Sequence, residues 1–131
     1  MSFITPILRV AAENKNYRTV LHTTEKSQLV VMTIPPGEDI GEETHHHVEQ
    51  ILFIQSGKGT TILDGVETSV GGGDLVLVSP GTRHNIVNAG AEPLVIVTVY
   101  VPPNHLPTTV HATKADAIAD EADEAFGETV Q

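Results

Sequence analysis

The chain contains no cysteine. Disulfides and thiolate metal sites are therefore excluded, and a metal here must be held by imidazole, carboxylate, amide or water. Bases are scarce: seven Lys and Arg stand against seventeen Asp and Glu, for a net charge of −10. From Ala115 to Gln131 there are six acids (Asp116, Asp120, Glu121, Asp123, Glu124, Glu128) and no base. Bases so few and scattered make no patch, which argues against nucleic acid or an anionic membrane as a partner. No run approaches the ~20 apolar residues needed to span a bilayer. The N-terminal stretch MSFITPILRVAAENK has no basic region leading into a long apolar run, so the expectation is a cytoplasmic protein without a signal peptide. Aromatic residues make up only 4% of the chain.

What is present has the character of a β-rich domain. The 131 residues are 40% hydrophobic, and valine and isoleucine are frequent among them. That length is enough for one domain with its own core. Eleven glycines and eight prolines punctuate the chain. Between them lie segments that read as strands: 17–23, 28–34, 50–55, 59–63, 67–70, 74–79, 84–88 and 94–101. Asp64-Gly65 is a two-residue hairpin signal between two of these. Strands about ten residues apart, each closed by Gly or Pro, predict an all-β antiparallel sandwich or barrel, with a core over about 17–104. The tail then changes period. Residues 113–126 read as a helix that starts at a Thr113/Asp116 capping box and stops at Gly127. Its apolar stripe is mostly alanine, so it reads as a surface helix with a solvated acidic face; a docking or dimer helix is the alternative.

Chemistry concentrates at ETHHHVEQ (43–50). Imidazoles, carboxylates and an amide entering a strand form a donor set suited to a borderline divalent metal. Alternating strand faces prevent His45, His46 and His47 from meeting one ion together. His84, after the Pro80-Gly81 turn, supplies a distant partner. Gln28, Met32 and Leu52 are candidate pocket residues on inward strand faces. Tyr17 and Arg18 precede the core barrel and read as packing or edge-strand residues, with a place at a pocket mouth as the alternative. His22, His105 and His111 carry no motif.

These residues resemble a known family, the small single-domain cupins, which are double-stranded β-helix (jelly-roll) barrels. The first cupin motif, G-x5-H-x-H-x4-E-x6-G, lies over Gly37, Glu43, His45, Gln50 and Gly57. The second, G-x5-P-x-G-x2-H-x3-N, lies over Gly73, Ser79, Gly81, His84 and Asn88. The resemblance spans roughly residues 28 to 104 and implies metal ligands Glu43, His45, Gln50 and His84, with His47 as the alternate. Glu43 stands where the family usually has histidine, and Gln50 where it usually has glutamate. The two departures offset in charge and shift preference toward harder ions such as Mn or Fe, with Zn and Ni still open. The expected function is a metal-dependent dioxygenase, isomerase or lyase acting on a small oxygenated molecule, with Glu43 also a candidate base. A non-catalytic metabolite-binding cupin and a structural barrel remain alternatives. The resemblance also implies a homodimer.

Overall fold

The computed structural model describes residues 1–130. Its strands form two antiparallel sheets. The first, in spatial order, contains β10 (Val110–His111), β1 (Arg18–Thr23), β2 (Gln28–Ile34), β9 (Leu94–Val101), β4 (Glu49–Ser56) and β7 (Leu75–Val78). The second contains β3 (Glu43–Thr44), β8 (Arg83–Asn88), β5 (Lys58–Leu63) and β6 (Val66–Gly71). The predicted β-barrel architecture is thus observed, and each strand read from the sequence is present to within a residue or two at its ends.

One core cluster draws on both sheets. Val30, Met32, Ile34, Ile54, Leu94 and Ile96 come from the first sheet and Ile86 from the second. Alternation along the strands puts these side chains between the sheets. On β9 the inward set is Leu94, Ile96, Thr98 and Tyr100, all fully or almost fully buried. The opposite face of the first sheet is not left bare. Val31 and Val95 pack with Ala11 of α1 (Ile7–Glu13), a short helix absent from the sequence-based assignment. Gly57 marks a close approach: its φ is +96°, and a Cβ there would lie 2.6 Å from Pro93 O. Asp64 and Gly65, at φ 47° and 82°, form the predicted hairpin between β5 and β6.

The tail departs from the single helix expected. The capping box is present, since Thr113 Oγ1 accepts from the Asp116 N–H and Asp116 accepts from the Thr113 N–H. The helix it opens, α2 (Lys114–Ala119), stops early, and α3 (Glu121–Val130) follows. Asp120 causes the break. Its carboxylate accepts from the Asp123 N–H, capping the new helix, and is also 2.9 Å from His111 Nε2. Gly127 is not a stop signal. It is buried inside α3, where a Cβ would come 3.1 Å from Asn104 O. Close packing on the 104–105 segment is what requires glycine there. Among the described residues no helix is long and apolar enough to cross a membrane.

Candidate metal centre and its cavity

Register builds the centre. β3 pairs with β8 so that Glu43 lies opposite His84. His45 follows β3 directly, and its carbonyl accepts from the Gly81 N–H at 2.7 Å, which ties the histidine-bearing turn to the Pro80-Gly81 turn. Glu43, His45 and His84 each offer a donor atom, and these atoms lie within 4.8 Å of one another. The His45 and His84 rings are 5.2 Å apart, and His45 Nε2 is 3.0 Å from Glu43 Oε2. His84 Nδ1 is 2.8 Å from Thr82 O. A carbonyl only accepts, so Nδ1 carries the proton and Nε2 presents a lone pair. Burial, with the backbone bond to Thr82 opposing it, holds the His84 imidazole below its ordinary pKa and therefore neutral. Burial raises the Glu43 carboxyl, but the hydrogen bond from His45 and the charges of His45, Arg18 and His84 outweigh it, and the group is held below the usual carboxylate range.

Gln50 is buried on β4, and its Nε2 donates to Thr98 Oγ1 at 3.1 Å. That bond uses the amide nitrogen and leaves the oxygen as the group's remaining acceptor. Gln50, Leu52 and His84 line one small apolar recess inside the barrel. His46 and His47 are exposed, and His47 lies outside the three-residue group.

Two of the expected pocket residues have other roles. Gln28 is a tether: its Oε1 accepts from the backbone N–H of Asn104 and His105, and its Nε2 donates to Thr23 Oγ1 and His105 O. Met32 is fully buried core. A cavity of about 340 Å³ lies beside the histidine-bearing segment instead. Glu43, Thr44 and His45 line it on the barrel side, with Tyr17 and Arg18 at the start of the chain's first strand. The tail lines it through Lys114, Ala117, Asp123 and Gly127. The tail is therefore a cover on one side of this cavity, while Asp116, Glu121, Glu124 and Glu128 stay exposed as the expected solvated acidic face.

Three contacts hold the cover down. Lys114 pairs with Asp39, whose carboxyl that hydrogen bond holds below its usual range. His111 Nε2 faces Asp120. His105 Nδ1 is 2.7 Å from Asp123 Oδ2, and Asp123 Oδ1 also accepts from the Leu106 N–H at 2.7 Å. Burial holds His105 below its ordinary pKa despite Asp123. Its Nδ1–H then donates to Asp123, and Nε2 is left to accept from the Tyr100 hydroxyl 3.3 Å away. Burial pushes Tyr17 up to about 12 and raises Tyr100 as well, so both phenols keep their protons at neutral pH. A second acidic group, His111 with Asp120 and Asp123, has metal-like spacing. Arg18 donates to His111 Nδ1 at 3.1 Å, so His111 has no lone pair to give a metal.

Tyr17 and Arg18 thus take the pocket-mouth place that was their alternative reading, while His105 and Asp123 in the lining, and His111 behind Arg18, carry no sequence signal of it. Arg18 had one usable signal, since it shares strand parity with the buried Val20. The histidines had none, because both lie outside the long strands and reach the site only through tertiary contacts.

Comparison with known proteins agrees with this architecture. Residues 30–100 match the family model described as Cupin domain. An uncharacterized Bacillus subtilis protein, YrkC, is 38% identical over 125 residues, which cover 91% of this chain and 67% of YrkC. The crystal structure of BH2720 from Bacillus halodurans superposes with a TM-score of 0.89 at 34% identity, covering 91% of this chain and 95% of that one. A Thermotoga maritima structure described as a predicted oxalate decarboxylase gives a TM-score of 0.63 at 25% identity, covering 66% of this chain and 79% of its own.

Proposed function

The chain belongs to the Cupin domain family, and from that premise we propose that it is a metal-dependent enzyme acting on a small oxygenated organic molecule. The observation that carries this reading is the convergence of the Glu43, His45 and His84 donor atoms within 4.8 Å beside a covered cavity. The donor set fits a divalent ion such as Mn, Fe, Zn or Ni: two imidazoles, one of them with its tautomer fixed, and a carboxylate held ionised. Gln50 is the proposed fourth ligand, through its amide oxygen. A bound ion would act as a Lewis acid toward a substrate oxygen, or as a redox centre for O2.

The protein's own residues do the rest. Thr82 orients His84. The tail restricts water at the cavity, which strengthens polar interactions inside it. Glu43 serves as a ligand in preference to a base, because its lowered pKa makes it a weak proton acceptor. Dioxygenase, isomerase and lyase chemistry all fit such a site, and the name of the Thermotoga maritima neighbour favours a lyase. A non-catalytic metabolite-binding role is the second reading, favoured by Glu43 and Gln50 occupying positions where cupins usually carry histidine and glutamate. We also expect a homodimer, because β7 is an edge strand that exposes Leu75 and Leu77.

The test is to load untagged protein with each metal, measure bound metal by elemental analysis, and follow O2 uptake and product formation on diketones, catechols, aldoses and oxo acids. Sedimentation of the same samples weighs the dimer. Stoichiometric metal with turnover is the expected result. Metal without turnover on any substrate would move the assignment to the binding role, and no metal uptake would overturn the metal-dependent enzyme.

A further inference from the structure

We propose that the cavity takes a small monocarboxylate, with Arg18 pairing its carboxylate. This rests on the reading of the cavity as a small-molecule site and adds the class of molecule. Arg18 is only 6% exposed, yet it lines the cavity. A guanidinium cannot shed its proton to relieve burial, so an uncompensated one is costly. Among the described residues no carboxylate lies within ion-pair distance of it. Its Nε is buried without a hydrogen-bond partner. Its polar protein contact is to a neutral acceptor, His111 Nδ1, with Asp120 one imidazole further away. The Tyr17 ring, 5.3 Å from the guanidinium carbon, supports the cation without neutralising it. Glu43 and Asp123 feel Arg18 only at longer range. The fold thus keeps a preorganised donor without a direct carboxylate partner against a cavity, and an incoming carboxylate supplies that contact in the geometry guanidinium favours.

Size and sign narrow the class. About 340 Å³ is at the small end of ligand cavities. Glu43, Asp123, Glu124 and Glu128 line the same space with Arg18 and Lys114, so every added anionic charge is opposed by the surrounding acids, and a single carboxylate seated on Arg18 is opposed less than a phosphate dianion. Glu43 and His45 line the same cavity as Arg18, so a ligand with a second oxygen beside its carboxylate can meet both Arg18 and the metal-capable group, which fits a 2-oxo acid.

The experiment is an amide-shift NMR titration of 15N-labelled protein, zinc-loaded and metal-free. The probes are pyruvate, 2-oxoisovalerate and benzoylformate, each against its methyl ester, with inorganic phosphate as a further arm. The acid of at least one pair should bind about tenfold or more tighter than its ester, since hydrogen bonds to charged groups are worth that much. Arg18→Gln should erase the difference and Arg18→Lys should keep part of it. Equal binding of acid and ester in all three pairs, no binding by any acid, or tighter binding of phosphate than of every acid, would overturn the proposal. The wild-type comparison stands even if Arg18→Gln fails to fold, which its own amide spectrum reads. Elemental analysis separates the two assignments. Lost acid preference with zinc bound counts against Arg18 alone, and preserved preference without zinc uptake counts against the metal centre alone.

Discussion

His84→Ala should lower divalent-metal affinity at least about 100-fold, beyond the tenfold to hundredfold typical of losing a group that merely supports a ligand. The imidazole lost is the one whose lone pair is directed by Thr82 O and whose backbone is held opposite Glu43. His45→Ala should do the same, because His45 closes the other side of the group, 3.0 Å from Glu43. His46→Ala and His47→Ala should leave affinity unchanged, since both residues are exposed. Gln50→Ala should fall between, because an amide oxygen is the weakest donor of the set. Calorimetric titration of metal-stripped protein reads all five variants. A second readout is thermal: metal in excess should raise the melting temperature of the wild type by mass action and leave that of His84→Ala unmoved. Retention of full affinity in both His45→Ala and His84→Ala would sink the metal-site assignment.

Asp123→Ala should cost about 3 kcal/mol of stability and release the tail, because two largely buried donors lose their acceptor together. These are His105 Nδ1–H and the Leu106 N–H, each at 2.7 Å. Lys114→Ala, which breaks a more exposed pair, should cost less than about 1 kcal/mol. Urea unfolding measures the first effect, and limited proteolysis within 106–120 measures the second. A Tyr100–His105–Asp123 chain that is only a surface ornament would leave both unchanged.

The same contact carries a pH dependence. His105 has a depressed pKa in the fold, so the unfolded chain takes up a proton first as pH falls. The stability it provides is complete above about pH 6.5, the ordinary imidazole value, and is lost as pH drops from there toward the lowered value. Asp123 is also held below its usual range, by the His105 hydrogen bond acting against burial, so its share is lost only below about pH 4. Melting at pH 7.5 and at pH 5.5 should therefore differ, and His105→Asn should shrink the difference.

The barrel was legible because its signals are local. Apolar runs bounded by Gly or Pro, and the Asp64-Gly65 hairpin, need no tertiary knowledge to read. The metal-capable group was legible for a different reason: motif spacing stands in for register, and the β3–β8 pairing that brings Glu43 to His84 follows from it. The cavity was not legible. Gln28 looks like a pocket residue by strand parity, but its amide meets three backbone groups of the 104–105 segment. The acidic tail reads as a solvated surface helix, and most of its acids are exposed, but its alanine stripe hides a docked face. In the structure small residues are what let α3 lie close, with Gly127 against Asn104. For Arg18 a pocket-mouth place stays the second reading behind packing, because sequence shows neither its burial nor the absence of a carboxylate beside it.

The cavity is assembled from parts of different provenance. Glu43, His45 and His84 lie within residues 30–100, the stretch that the family model describes. Tyr17 and Arg18 lie before it, and Asn104, His105 and the tail lie after it. Under the proposed function, the metal-capable group and the residues that would select a ligand are written largely in separate stretches of chain. Exchanging the ends of two barrels of this kind, with the metal ligands untouched, is a route to a new ligand that never has to pass through a disabled metal centre.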